Sequence, residues 1–370
     1  MVAVAIQHTG TEKESIMSDD LYRKFRDNLN QMPIGYPPTE SGVEIEILKK
    51  LFSDGEVEIA LLLTPFSETP EEIALRTGVK ESDLSQQLEA MAKKGLIFRI
   101  RRNGKVRYQI APFMIGIYEY SVKKINPELA RLYKTYYDEA FLGELGISDI
   151  PGFKVIPIEE NIQPDQELLP HHTLENKIRE ARRISVAECI CRKEAHLAGE
   201  GCNRPLETCL NFGVAAEYYI ENGIGREIDA DEAIAIIREA DRAGLVHAGA
   251  NSKHLSNICN CCPCCCASMK GITLKGHNKR KYMNSLYEAI IDTDACTECE
   301  ACLENCPVRA ISLRDIMQVD RTKCLGCGIC AGKCPTGAIA VMLRKDREEP
   351  FDKVMDMGMA VLEAKKMLKP

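Results

Sequence analysis

Cys296-Thr-Glu-Cys299-Glu-Ala-Cys302-Leu-Glu-Asn-Cys306-Pro307 returns 28 residues later as Cys324-Leu-Gly-Cys327-Gly-Ile-Cys330-Ala-Gly-Lys-Cys334-Pro335. The flanks repeat with it. Ile291-Asp292 answers to Val319-Asp320, and Pro307-Val-Arg-Ala-Ile311 to Pro335-Thr-Gly-Ala-Ile339. Similarity at one fixed offset marks an internal duplication. Three close-set thiolates on one curled loop can grip three corners of a metal–sulfur cube, and the fourth corner needs a ligand from elsewhere. Zinc ribbons use pairs of Cys-x2-Cys, not three thiolates followed by Cys-Pro, so iron–sulfur chemistry is expected.

Working outward, the chain has 370 residues, enough for two or three domains. All 18 cysteines lie between Cys189 and Cys334, and none precedes them. A cysteine-free module is therefore joined to a cysteine-rich one. Net charge is −7, which gives no bulk attraction for nucleic acid or anionic membrane. The N-terminus lacks the basic region and apolar length of a signal peptide. No run approaches the ~18 apolar residues of a membrane span. A cytoplasmic, reducing location is expected, with thiols free to bind metal rather than paired as disulfides.

Residues 291–345 resemble the bacterial-type two-cluster ferredoxin. The resemblance implies two hairpins and two helices with pseudo-twofold symmetry. It also implies that the fourth cysteine of each run ligates the other cluster. One [4Fe–4S] cluster then takes Cys296, Cys299, Cys302 and Cys334, and the other takes Cys324, Cys327, Cys330 and Cys306. The longer span from about residue 40 to 345 resembles multidomain 4Fe–4S binding proteins of anaerobes. It does so through Cys189-Ile-Cys191-Arg-Lys-Glu194 and Ile258-Cys-Asn-Cys-Cys262. This second resemblance implies cluster binding and electron transfer, and it supplies no substrate.

Ten cysteines fall outside the duplication: Cys189, Cys191, Cys202, Cys209, Cys259, Cys261, Cys262, Cys264, Cys265 and Cys266. Six thiols within residues 259–266 cannot all point at one centre. Ligands to different centres, or ligands mixed with structural thiols, are the readings open. Arg192 and Lys193 beside Cys189 and Cys191 would stabilise thiolate and an anionic cluster. A third iron–sulfur cluster drawn from these ten is the expectation. A substrate-converting cluster with unusual ligation is an alternative, as is a set of free thiols.

The front of the chain follows a different pattern. Helices are expected over Val43–Phe52 and Val57–Thr64. Next comes a short helix capped by Thr69-Pro70-Glu71-Glu72 and ended at Gly78, and then Glu81–Lys94. Strands Leu96–Arg102 and Lys105–Ile110 meet at Asn103-Gly104, a preferred tight hairpin turn. This order resembles the winged helix-turn-helix superfamily. DNA reading is disfavoured, because the first turn of the candidate recognition helix holds Glu81, Ser82 and Asp83. The basic wing, Arg99, Arg101, Arg102, Lys105 and Arg107, suits a protein contact.

The expected fold is α+β and multidomain. A flexible lead segment (1–40) precedes a winged-helix domain (41–112) and a helical connector (113–172). A mostly helical cysteine-rich domain follows (173–290), then the two-cluster domain (291–345) and an amphipathic C-terminal helix (346–370). Thr173 should cap a helix to about Ile184, and Asp229 with Glu232 should form a capping box on Ala230–Ala243. The tyrosines of 113–145 read as packing. His171-His172 reads as solvated, His196 as a weak outer-shell candidate, and Lys279-Arg280-Lys281 as a solvated basic patch. Gly223-x-Gly225 is too short for a dinucleotide fingerprint.

Together these features predict an electron-transfer protein of anaerobic metabolism, serving a redox partner protein or oxidoreductase complex. An electron carrier or oxidoreductase subunit is expected rather than a stand-alone enzyme. The alternatives are a redox-responsive DNA-binding regulator and an oxidoreductase subunit with a catalytic cluster.

Overall fold

The computed structural model describes residues 9–162 and 174–368. Thr173, His8 and the His171-His172 pair lie outside the described residues. The chain divides into two compact units, Met1–Glu144 and Leu145–Pro370.

In the first unit, a helix spans Thr9–Leu29, within the segment expected to be a flexible lead. The lead segment is thus not simply loose. Tyr22, Phe25 and Leu29 fall on one face and are buried. Tyr22 Oη donates to the Phe52 carbonyl at 2.8 Å, and the Phe25 and Phe52 rings meet edge-on at 5.0 Å. Helices follow at Val43–Leu51, Asp54–Ala60, Pro70–Thr77 and Glu81–Lys93. The Thr69–Glu72 capping box closes as expected: Glu72 N donates to Thr69 Oγ1 at 3.2 Å, and Thr69 N to Glu72 Oε2 at 2.8 Å. Strands β1 (Ile97–Arg102) and β2 (Lys105–Ile110) pair antiparallel. Asn103 and Gly104 both take positive φ, 53° and 72°, as a two-residue hairpin turn requires. Tyr118, Tyr120, Tyr133, Tyr136 and Tyr137 are all buried, packing around Phe113 and Phe141.

The connector expected over 113–172 is helical as far as Leu145 and then supplies a strand at Phe153–Val155, while the second unit corrects the mostly helical reading of 173–290. It is built on a seven-stranded sheet of β3 (Phe153–Val155), β4 (Ile184–Glu188), β5 (Glu207–Phe212), β6 (Arg226–Ile228), β7 (Val246–Ala250), β8 (Asn257–Cys261) and β9 (Met283–Asn284), in the order β6-β4-β5-β8-β7-β3-β9. Its pairs are antiparallel except β3 with β9. The strands are short and buried on both faces, so they lack the alternation that announces a strand. The helix expected to run to Ile184 stops at Glu180, and Ile184-Ser-Val-Ala continues as β4. The helix Ala230–Arg242 packs Ala233, Ile234 and Ile237 against Ile184, Val186, Leu210 and Ile258 of the sheet. Asp229 caps it, accepting from Glu232 N at 2.8 Å. The Glu232 carboxylate does not complete the box: it pairs with Arg226 at 2.6 Å, a stronger charged partner than a backbone N–H.

On the opposite face of the sheet, Cys209 lies beside Ala187, and Cys259 beside Ala248. Small neighbours leave room there for sulfur. After the sheet, β10 (Tyr287–Ile291) pairs with β13 (Ile339–Leu343), and β11 (Ile311–Leu313) with β12 (Met317–Val319). The last helix, Val354–Met367, buries Gly358 and Val361 and leaves Met355 and Met359 exposed. Among the described residues no helix is long and apolar enough to cross a membrane.

The first unit has a polar keystone in Glu44, only 1% exposed. Its carboxylate takes bonds from Arg26 Nη1 at 3.1 Å, Thr39 N at 3.2 Å and the Thr39 hydroxyl. Glu44→Ala removes the buried partner of Arg26, leaves it only the exposed Asp27, and should cost about 3 kcal/mol. With no tryptophan in the chain, tyrosine fluorescence during urea unfolding reads this directly. An unchanged midpoint would remove the network from the account.

Candidate metal centres

The duplication is visible in the backbone. Glu298, Glu300 and Arg309 carry positive φ of 54°, 61° and 50°, and their counterparts 28 residues on are Gly326, Gly328 and Gly337, at 64°, 83° and 67°. Each run therefore curls identically around its thiols. Non-glycine residues hold the strained positions in the first run. At Gly326 glycine is required twice over, because a Cβ would lie 2.0 Å from the Tyr287 carbonyl oxygen. Each run then enters a short helix, Ala301–Asn305 or Ile329–Gly332.

One cavity is lined by Cys324, Cys327 and Cys330 of the second run together with Cys306 of the first. Cys327 and Cys330 each feel Cys324 and Cys306, Cys330 also feels Cys302, and Cys302 feels Cys296 and Cys334. Burial, and then those neighbouring thiols, push Cys330 up to about 12, and burial also raises Cys306 and Cys327. Bare thiolates are disfavoured in this cavity, so binding metal must displace protons. Backbone N–H groups are already aimed at sulfur. Ala289 N and Gly326 N stand 3.4 Å from Cys324 Sγ, Ala310 N 3.2 Å from Cys306 Sγ, and Glu298 N 3.4 Å from Cys296 Sγ. Such bonds stabilise charge on a cluster's thiolates. The donor set and the amide cradle fit a [4Fe–4S] cluster.

The two halves differ in access. Cys324, Cys327 and Cys330 are buried, whereas Cys299 is exposed and Cys296 partly so. Asp292, Asp294, Glu298, Glu300 and Glu304 are exposed around the open half. Two buried cations stand behind the closed half. Lys279 Nζ donates to the carbonyls of Cys324 and, at 3.2 Å, Arg321. Arg344 Nη2 donates to the Cys324 carbonyl at 2.8 Å. Burial, and then Arg344, press Lys279 down to about 8. The basic patch is solvated only in part: Lys279 is buried, whereas the exposed Arg280 pairs with Asp346 at 2.6 Å and Lys281 with Asp149 at 3.2 Å.

The other ten thiols separate into neighbourhoods, as their crowding requires. Cys191 lies near Cys189 and Cys266, and Cys261 near Cys259 and Cys266, and in each case these neighbours and burial push the thiol up. Cys202, Cys262, Cys264 and Cys265 form another group, with all four sulfurs within 4.8 Å of one another. Cys209 lies on β5 beside Asn211 Nδ2, at 4.0 Å. Asn257 Nδ2 reaches Cys259 Sγ at 3.6 Å.

Arg192 is fully buried among these thiols. It donates to the Asn260 carbonyl at 2.9 Å, to Thr208 Oγ1, and to Cys262 Sγ at 3.7 Å. Burial opposes its charge, and the thiolates of Cys189, Cys262 and Cys261 more than restore it. In return, a bond from Cys265 pulls Cys262 down to about 5 against its burial, with help from Arg192. Lys193 turns away to Glu188, at 2.7 Å.

Sequence reading missed Arg204, whose Nη1 lies 3.8 Å from Cys264 Sγ, and Arg344. Arg204 stands two residues after Cys202, a signal of the kind used for Arg192; nothing local marks Arg344. His196 reaches the Cys202 carbonyl at 2.7 Å, an outer-shell place rather than a ligand position. Gly225 packs against the Val186 carbonyl, where a Cβ would come within 2.6 Å, and so serves the turn into β6.

A family model described as the 4Fe-4S dicluster domain matches residues 295–338. No curated protein and no solved structure matches the chain. The C-terminal module is a ferredoxin-like 4Fe–4S domain, and the chain is an iron–sulfur protein.

Removing a buried cation beside one cluster should disfavour its extra electron. Lys279→Met should lower the potential of the cluster near Cys324 by roughly tens of millivolts, and Lys281→Met should leave it unchanged. Redox titration of the three proteins checks this, and equal shifts would refute the assignment.

Proposed function

We propose that the protein relays single electrons through [4Fe–4S] clusters to or from a partner oxidoreductase in the cytoplasm. The grouping of Cys306 with Cys324, Cys327 and Cys330 around one cavity carries the reading. It supports crossed ligand sets, with Cys296, Cys299, Cys302 and Cys334 as the other. A bound [4Fe–4S] cluster supplies one-electron chemistry; the chain supplies thiolates, amide hydrogen bonds and buried cations. The open half is the exchange face, and its five exposed carboxylates suit a partner with a basic surface. A third cluster is assigned to Cys189, Cys191, Cys261 and Cys266, with Cys259 adjacent.

Residues 41–112 are read as a winged-helix module used for protein contact. Three of the five basic wing groups are engaged internally: Arg99 and Arg101 reach Glu89 at 2.7 and 3.0 Å, and Arg107 reaches Glu72 at 3.0 Å. Charges paired this way release few counterions from DNA. A random duplex at moderate salt should show no mobility shift, and a strong, salt-sensitive shift would favour the regulator instead.

Anaerobic preparations of the full chain should hold about twelve cluster irons with matching sulfide, as three [4Fe–4S] clusters do. About eight of each would end the third cluster. Zinc in place of iron and sulfide would end the relay. Cys306→Ser should perturb the cluster of Cys324, Cys327 and Cys330 while sparing the other.

A further inference from the structure

We propose that Cys202, Cys262, Cys264 and Cys265 hold a single tetrahedral divalent metal ion, separate from every iron–sulfur cluster. The argument begins with size. Sulfur–sulfur separations are 3.9 Å for Cys202–Cys262, 3.8 Å for Cys202–Cys265 and 3.7 Å for Cys264–Cys265. A tetrahedral ion with metal–sulfur bonds of about 2.3 Å spaces its thiolates about 3.8 Å apart. A cube carries each thiolate on a different iron and spreads them to roughly 6 Å. Among the described residues, this is the group of metal-binding side chains whose ligand atoms all close to within 4.8 Å. The eight duplicated cysteines form no such group among the described residues.

Charge gives a second, independent reason. The buried Arg192 places Nη1 on Cys262 Sγ, and Arg204 places Nη1 on Cys264 Sγ. Arg192 Nε is buried with no hydrogen-bond partner. Burying a guanidinium against neutral thiols is costly, and against thiolates it is compensated. Four thiolates at van der Waals contact repel one another unless a cation sits among them. Two guanidinium groups at the sulfurs then offset the excess negative charge of an ion bound by four thiolates.

The site also has an architectural purpose. Cys202 comes from the loop after the helix Ile190–Leu197, and the other three from the turn after β8. His196 Nε2 anchors the loop at the Cys202 carbonyl, and Gly201 admits that ring, since a Cβ there would lie 1.5 Å from it. The ion clasps the loop to the turn. Cys261 and Cys266, the residues immediately flanking the turn, belong to the other thiol group and keep their own places on β8 and the following helix. All four positions are filled by protein, as in closed structural sites. Zinc and ferrous iron share this donor chemistry.

The test uses the full chain purified anaerobically, with zinc, iron and acid-labile sulfide measured together. Two results support the site: about one zinc per chain, or iron exceeding sulfide by about one, with Mössbauer spectra showing a lone high-spin ferrous ion. Cys264→Ser should lose that ion and keep its sulfide, and Cys266→Ser should do the reverse. If either variant fails to fold, X-ray absorption or Mössbauer data on the unsubstituted protein decide. Four sulfurs at about 2.3 Å with no neighbouring metal support the site. Iron equal to sulfide with no zinc overturns it, as does loss of about four sulfides in Cys264→Ser. The dicluster signal persists in every outcome, so the relay reading stands or falls separately.

Discussion

The constraint on which the second unit depends is the charge of buried sulfur. A thiolate in a low-dielectric interior is costly unless metal, amide N–H groups or cations compensate it. The chain supplies all the protein-derived compensation in place: amides on Cys324, Cys306 and Cys296, Lys279 and Arg344 behind the Cys324 carbonyl, and Arg192 and Arg204 on the thiols after β8. Much of the surrounding fold serves to hold these groups. The β10–β13 ladder brings Ala289 N to Cys324 Sγ and presses Gly326 against Tyr287. Helix Ile190–Leu197 carries Arg192 to the sheet's cysteine-bearing central strands, β5 and β8.

Duplication made two halves with one backbone, and divergence made them unequal. Glycines occupy the second run's left-handed positions, one of which, Gly326, must approach β10 closely, and Glu298, Glu300 and Arg309 occupy the same positions in the first. One half became buried and braced by cations. The other became open and ringed by carboxylates. In the proposed relay the open half would be the one that admits a partner.

Legibility followed the strength of local signals. The duplicated runs are readable because ligand spacing is dictated by the size of what they grip. The front helices and hairpin are readable because Thr69-Pro70-Glu-Glu72 and Asn103-Gly104 encode their own caps and turn. The seven-stranded sheet was hidden. Val246-His-Ala-Gly-Ala250 is buried at every position, so no alternation distinguishes it, and β3 and β9 pair across about 130 residues. The ten extra thiols were recognised as a site, but their partition depends on Cys202 meeting the turn after β8. That is a fold-level contact with no local trace. Lys279 misled for a similar reason: a run of three cations reads as surface, and only the tertiary structure buries one of them.

The central claim is that two clusters are built from interleaved cysteines within one small module. Electron paramagnetic resonance during stepwise anaerobic reduction of the full chain tests it most directly. The account predicts a simple signal at partial reduction that broadens into a spin-coupled spectrum once both closely packed clusters are reduced. A fully reduced spectrum that remains that of one isolated cluster, or no cluster signal at all, would contradict it.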